Sequence, residues 1–295
     1  MEQQKQTRQY FQSAADDWQN QSVNPDGTYS VIEGRNSVVL EAIDAADKVT
    51  RFLDVGCGTG QLVIDVAKRG IEAEGVDFAD EMINICEENK KDADVSANFI
   101  KGSFFDVDLD ENSYDVISAQ GLIEYLSPEE MTALFNRCFK LLRPKGSLVV
   151  GSRNRLFNAV SLNEYTLLEA DFGTLDVLIR ESVAFQTSTS QEEAFETLLQ
   201  YERIDPQPKV HPITRIAVDT RYQYTPADLI YRLRGCHFKP KTIFPVNFHG
   251  LSPSIKEDLP ELFSQLALNV AAFGVRDQRL VPFSSTFVLE LQKNA

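Results

Sequence analysis

The sequence has little that would stabilise it from outside its own core. Its four cysteines, Cys57, Cys86, Cys138 and Cys236, stand singly among 295 residues, with no CxxC pair and no Cys/His cluster at zinc spacing. That excludes a disulfide scaffold and argues against a structural metal; the thiols read as reduced, in a cytoplasmic protein. Long apolar runs are also lacking. The nearest approach, 262–275, is short and broken by Ser264, Gln265 and Asn269, so no membrane span is expected. The amino terminus, MEQQKQTRQYFQ, has no apolar stretch of the signal-peptide kind. Positive charge is scarce: 29 Lys+Arg against 44 Asp+Glu leave a net charge of −15. Such a field repels phosphate backbones and argues against nucleic acid as a partner.

What is present is an ordinary globular composition, 43% hydrophobic and 25% charged, enough to bury a sizeable core. Residues 51–151 alternate short apolar runs with helical stretches, the rhythm of a parallel sheet with crossover helices. The spacing predicts strands at 51–55, 72–76, 97–100, 114–118 and 147–151. Helices are expected at 61–69, closed by Gly70, and from Asp80, as a cap, to about Asn89. A third runs from the capping box Ser127-Pro128-Glu129-Glu130 to about Leu142. Thr225-Pro226-Ala227-Asp228 repeats that start, with Gly235 as its stop, and strands at 242–248 and 285–291 follow.

Two stretches break the rhythm: 152–221, with a helix at 191–201 capped by Ser190, and 249–283, with a helix at 260–273. Both follow strands whose carboxyl ends should lie on the side where open α/β sheets bind ligands. The expected organisation is one α/β domain built on a doubly wound, mostly parallel seven-stranded sheet. Residues 1–34 form an N-terminal lid, 35–151 the ligand-binding core and 152–221 a substrate-covering insertion. Residues 222–295 complete the sheet, with a second insertion at 249–283.

The turn Gly56-Cys57-Gly58-Thr59-Gly60, between a strand and a helix, lets the backbone approach a ligand closely, because glycine has no Cβ. A dinucleotide site would carry GxGxxG, with pyrophosphate on the helix N-terminus. Here the spacing is GxGxG, and Asp54 just before it would oppose a pyrophosphate but suits an ammonium group. Asp77, 17 residues beyond Gly60, is placed to accept bonds from ribose hydroxyls. Together these features fit an adenosyl ligand without phosphates.

The run 53–60 resembles motif I of the class I S-adenosylmethionine-dependent methyltransferases, and Asp77 matches their ribose-binding acid. Phe99 to Phe104 resembles the segment that contacts adenine, with Ser103 where many members have Asp and Phe104 placed to pack on the ring. Residues 114–126, Gln120 among them, resemble the fourth-strand motif beside the methionine moiety, with Tyr125 where many relatives carry His. The turn 141–146 is similar too. The resemblance covers about 35–151, 222–248 and 284–292. It implies a Rossmann-like methyltransferase fold with S-adenosyl-L-methionine as cofactor. The cofactor-binding residues it implies are Arg35, Asp54, Gly56, Gly58, Gly60, Asp77, Phe78, Ser103, Phe104 and Gln120. Tyr10, Phe11 and Trp18 fit an amphipathic helix closing over that cofactor, with Trp18 also counted as a substrate contact; a packing stripe is the alternative.

Methyl transfer needs a nucleophile held in line, and a general base only where the acceptor must lose a proton. The candidates for that base are His249, first by position, with His211, Tyr125 and Glu124. Substrate contacts are expected from Arg153, which leaves the fifth strand, and from a local reversal of charge. Residues 203–241 hold 8 basic and 3 acidic side chains, and there His211, Arg215 or Arg221 would neutralise an anionic acceptor. The expected activity is methylation of a small, anionic metabolite, on oxygen. Transfer to nitrogen or carbon, a non-catalytic cofactor-binding regulatory subunit and, more weakly, a dehydrogenase are the alternatives. A homodimer is compatible with the sequence.

Overall fold

The computed structural model describes residues 2–15, 18–20, 30–205, 218, 221–256, 258–274 and 276–294. Seven strands form one sheet: β1 (Arg51–Val55), β2 (Glu72–Asp77), β3 (Asn98–Lys101), β4 (Tyr114–Ala119), β5 (Leu142–Arg153), β6 (Phe238–Phe248) and β7 (Ser284–Lys293). Their order is β3-β2-β1-β4-β5-β7-β6. All neighbours pair parallel except β7, which runs antiparallel to both β5 and β6. The order reverses between β1 and β4, and the crevice at such a switch point is where an open α/β sheet holds a ligand.

Alternate strand residues feed opposite faces, as a two-residue period requires. Leu53, Val55 and Ile117 join one buried cluster with helix α5 (Pro128–Leu141), while Phe52 and Val116 join a second with α2 (Val31–Asp44) and α3 (Gln61–Ala67). The capping box at Ser127 forms as expected, Ser127 Oγ accepting from the Glu130 amide at 3.2 Å. Two local expectations need correcting. Helix α4 (Asp80–Asp92) takes Ala79, not Asp80, as its cap, because Asp77 accepts the Ala79 amide at 2.9 Å and Asp80 turns outward to Arg8 at 3.4 Å. The fifth strand begins at Leu142 rather than Ser147, because Leu142 pairs with Tyr114 before the register shifts. The helix that starts at Pro226 ends at Gly235, as expected, and His237 just past it takes the left-handed conformation (φ 65°).

Between β5 and that helix come α6 (Phe157–Val160), α7 (Glu164–Asp171), α8 (Leu175–Thr187) and α9 (Gln191–Leu198); α10 is Pro226–Gly235 and α11 (Pro260–Gly274) follows β6. Buried Arg155, just before α6, ties α7 down, donating to Glu169 through Nε at 2.9 Å and Nη2 at 2.8 Å. Among the described residues, no helix is long and apolar enough to cross a membrane.

Candidate active site

At the switch point, β1 ends in three glycines of positive φ, Gly56, Gly58 and Gly60. The turn lays the Gly58 amide 3.0 Å from Asp77 Oδ2, and the Ala79 amide holds Oδ1. Asp77 is thereby fixed at the end of β2, with further lone pairs on both oxygens for a diol. Burial raises its pKa to about 6, the backbone donors acting against that. Asp54, on the next strand, is also buried, and burial pushes its carboxyl to about 7. Among the described residues its Oδ1 has no partner in hydrogen-bond geometry, though the nearby Ser118 hydroxyl acts against the rise in pKa. Gln120 presents a second such acceptor: its amide nitrogen donates to the Val149 carbonyl at 3.0 Å, leaving Oε1 buried without a donor.

These groups face one cavity of about 590 Å³, within the range of sites for small molecules. Helix α1 (Glu2–Ser13) and the following turn cover it. Phe11 meets Tyr125 edge-on at 5.3 Å and Trp18 at 5.7 Å, and Trp18, with Phe11, packs on a cluster of Ala15, Ala79 and Met82. Gln19 and Asn89 exchange hydrogen bonds of 2.9 and 3.1 Å, which clamps the segment to α4. On the wall that follows β3, Phe104 lies under the Arg137 guanidinium at 5.1 Å, and Ser103 Oγ accepts the Phe105 amide at 3.3 Å.

The opposite wall is ionic. Glu124, in the turn after β4, is buried and pairs with Arg221 Nε and, at 3.9 Å, with Arg35 Nη2. Burial alone would raise its pKa, but Arg221, Arg35 and Arg153 outweigh that and hold the carboxyl below its usual range. Arg221 also lies over the Tyr125 ring at 5.4 Å. Gly121 (φ +64°) makes room for this arrangement: a Cβ there would sit 2.5 Å from Arg35 Nη1.

Arg35, Asp54, Gly56, Gly58, Asp77, Phe78, Ser103, Phe104, Gln120, Glu124, Tyr125, Trp18 and Arg221 all line the cavity. Four expected site residues stand elsewhere or face another task. Gly60 is not on the wall; a Cβ there would meet Cys86 Sγ and the Phe99 ring at 2.8 Å, so its glycine serves packing of the turn on α4 and β3. His249 is stacked on Phe157 at 4.4 Å and set edge-on to Phe263, with Nε2 2.9 Å from Ser285 Oγ. Burial, then Lys256, drives its pKa down to about 4, and it does not reach the cavity, so the first choice for a base is corrected. Arg153 sits outside the wall, beside Arg221 and Glu124. Glu124, though on the wall, is a carboxylate spent on arginines and a poor proton acceptor. His211 and Arg215 lie outside the described residues.

The described helices α6–α9 contribute nothing to the wall, so the cover comes from the amino-terminal segment rather than from residues 152–205. Sequence reasoning passed over Ile32 and Asn36, which line the cavity one turn apart on the helix that carries Arg35. Their i, i+4 spacing about Arg35 was the available signal. Leu122, whose side chain approaches the glycine turn within 3.5 Å of a Cβ built on Gly56, had no such signal.

The residues fit an adenosyl amino acid: the partnerless acceptors Asp54 Oδ1 and Gln120 Oε1 call for a donor such as an ammonium, and Asp77 is positioned for a diol. Comparison with known proteins agrees with that chemistry. The profile of a methyltransferase domain matches residues 52–146. The ubiquinone biosynthesis O-methyltransferase of Coxiella burnetii is 28% identical over 165 residues, 55% of this chain and 66% of that protein. Its counterpart from Xanthomonas axonopodis pv. citri is 28% identical over 140 residues, 46% of this chain and 58% of that protein. The chain thus spans just under two thirds, or less, of the curated relatives it matches. Among solved structures, Burkholderia thailandensis 1,6-didemethyltoxoflavin-N1-methyltransferase superposes with TM-score 0.60 at 13% identity, over 100% of this chain and 90% of that one. Magnesium protoporphyrin IX methyltransferase from Synechocystis PCC 6803 gives 0.58 at 14%, over 99% and 100%. Both were solved with S-adenosylhomocysteine, and at these identities the likeness is one of fold. The matched core, the glycine turn with Asp77 and the sheet order together support a class I S-adenosylmethionine-dependent methyltransferase domain over residues 52–146.

Proposed function

We propose that the chain binds S-adenosylmethionine in this cavity and transfers its methyl group to a small molecule, on oxygen. One observation carries the reading: one cavity joins the Asp77 cradle to two buried acceptors, Asp54 Oδ1 and Gln120 Oε1, that lack a donor among the described residues. Asp54 and Gln120 would take the ammonium of the cofactor, Asp77 its ribose hydroxyls, and Phe104 and Phe78 would bound the base. When bound, the sulfonium supplies the activated methyl group.

The side chains lining the space then act chiefly by positioning, which can supply much of the rate of an in-line displacement. Glu124 is held ionised but engaged by arginines, and Tyr125 is kept protonated by burial and by the neighbouring Glu124. Neither is set up to take a proton. That arrangement favours an acceptor oxygen that ionises by itself, as an enol, phenol or carboxylate does, over an aliphatic hydroxyl. Oxygen is favoured because the curated relatives are named O-methyltransferases, while an N-methyltransferase shares the fold.

The test is calorimetry with S-adenosylhomocysteine, followed by incubation with S-adenosylmethionine carrying an isotopically labelled methyl group. A panel of phenols, carboxylic acids, amines and carbon acids would serve as acceptors, read by mass spectrometry. Binding with labelled O-methyl product is the expected result. Binding of NAD in place of S-adenosylhomocysteine would overturn it.

A further inference from the structure

The groups assigned above to the cofactor follow the order of the strands. Gln120, just past β4, and Asp54, on β1, would take its ammonium, and Asp77, at the end of β2, its ribose hydroxyls. The next strand end along the sheet is that of β3. A ligand laid across these ends therefore sets its base against the turn that leaves β3, which brings Ser103, Phe104, Phe105 and Asp106 to the cavity wall. The turn is tight. The Asp106 and Val107 amides donate to the Ser103 carbonyl at 2.9 and 3.1 Å, and the Gly102 amide donates to the Asp77 carbonyl at 2.9 Å. A side chain from another element also holds it. Arg137, on α5, donates through Nη1 to the Phe105 carbonyl at 2.8 Å and through Nη2 to the Val107 carbonyl. The same guanidinium lies over Phe104, 5.1 Å from the ring centre.

We propose that Arg137 is a positioning residue for the base of the cofactor, acting through Phe104 and the turn 103–107. Arg137 is not on the cavity wall, so its effect on a ligand is carried by what it holds. Phe104 is buried and lines the cavity, and its ring therefore has contact both with Arg137 and with the space for the base. A guanidinium is planar and carries its donors in a fixed fork, so it can bond two carbonyls while its face meets an aromatic ring. An ammonium, a point charge, offers no such fork. A flat base gains more from an aromatic wall that is ordered before it arrives, because the cost of ordering that wall does not then fall on binding. The sugar and amino acid parts of the ligand lie toward β2, β1 and β4, away from this turn, and should not sense Arg137.

This inference rests on the cofactor reading above, and the experiment separates the two. Calorimetry on the full chain compares S-adenosylhomocysteine with S-ribosylhomocysteine, which has a hydroxyl in place of the base. Arg137→Ala should weaken S-adenosylhomocysteine about tenfold and S-ribosylhomocysteine less than about twofold. Arg137→Lys, which keeps the charge over the ring but not both carbonyl bonds, should fall between wild type and Arg137→Ala. Phe104→Ala should show the same selective loss, and adding Arg137→Ala to it should cost less than about twofold more, because the two act as a unit. Should S-ribosylhomocysteine bind too weakly to titrate, that cycle on S-adenosylhomocysteine decides the matter. Thermal unfolding checks each variant, and should Arg137→Ala fail to fold, Arg137→Lys takes its place in the cycle. Equal losses for both ligands, fully additive losses in the cycle, or an unchanged affinity in the folded variant would overturn the positioning role with cofactor binding intact. A wild-type chain that binds neither ligand would overturn the cofactor reading, and this inference with it.

Discussion

Two buried carboxylate sites face each other across one cavity and ionise in opposite senses. On the β1–β2 side, Asp54 and Asp77 have no cation against them among the described residues, and burial pushes them up to about 7 and about 6. On the β4 side Glu124 is equally buried, yet Arg221, Arg35 and Arg153 hold it below the usual range. Burial is common to both, so the difference lies in the partners: backbone amides and a partnerless oxygen on one side, guanidinium groups on the other. The first site is incomplete without a cationic donor, and the second is complete enough to be structural as well as receptive. The two walls of one cavity are therefore expected to respond differently to mutation, pH and ligand.

The largest effect should come from the ionic wall. Glu124→Gln removes the buried carboxylate that pairs with Arg221 and Arg35 and should cost about 3–5 kcal/mol of stability, the usual penalty for breaking a buried ion pair from one side. Urea denaturation measures it, and the double variant Glu124→Gln with Arg221→Gln should recover part of the loss. A silent Glu124→Gln would make the two walls alike. Next comes Asp77→Ala, which should weaken S-adenosylhomocysteine by about 2–3 kcal/mol, as for charge-assisted hydrogen bonds. Calorimetry reads that loss. Because the change also frees the Gly58 and Ala79 amides, thermal unfolding checks that the turn survives.

The third effect depends on pH. Carboxyls raised from 3.8 to about 7 and about 6 hold their protons in the ligand-free protein only below those pH values. They contribute stability that is fully present below the unfolded value and lost as pH rises through about 6 and 7. An ammonium and a diol require both carboxylates ionised, so binding expels these protons. Affinity for S-adenosylhomocysteine should fall as pH drops below about 7, by up to about tenfold per unit for each proton released. In Asp54→Asn the slope between pH 6 and 7 should flatten, whereas Glu124, already ionised, should add none.

The smallest effect belongs to the cover shared by both walls. Phe11→Ala removes an aromatic pair worth about 1 kcal/mol and should weaken the ligand severalfold. Trp18 is the only tryptophan, so its emission reports this segment alone and should shift when ligand is added. An unmoved spectrum with unimpaired binding by Phe11→Ala would reduce the segment to packing.

Much of the Asp54–Asp77 wall is legible in the chain, because its parts are close in sequence or at fixed spacing. The glycine turn, the strand before it and the acid at the end of the next strand form one βαβ unit, whose geometry follows from local periodicity. The capping box at Ser127 and the cap at Thr225 are legible for the same reason, each needing only the next three residues. The ionic wall is not. Glu124 and Arg221 are 97 residues apart, and only the return of the chain beside β4 brings them together. The same holds for His249, whose place at the end of β6 suggested a base. Its ring instead fills a gap between Phe157 and Phe263, a matter of how α6 and α11 pack and not of strand position.

The sequence by itself determined the parallel sheet, its switch point and the ligand chemistry of one wall, since strand period, turn glycines and helix caps act over a few residues. Tertiary structure alone decided which charges are paired, which aromatics cover the cavity and which histidine is withdrawn from it. Desolvation and ion pairing belong to the assembled core: a carboxylate's state is set by what the fold brings within a few ångströms, and no local pattern records that distance.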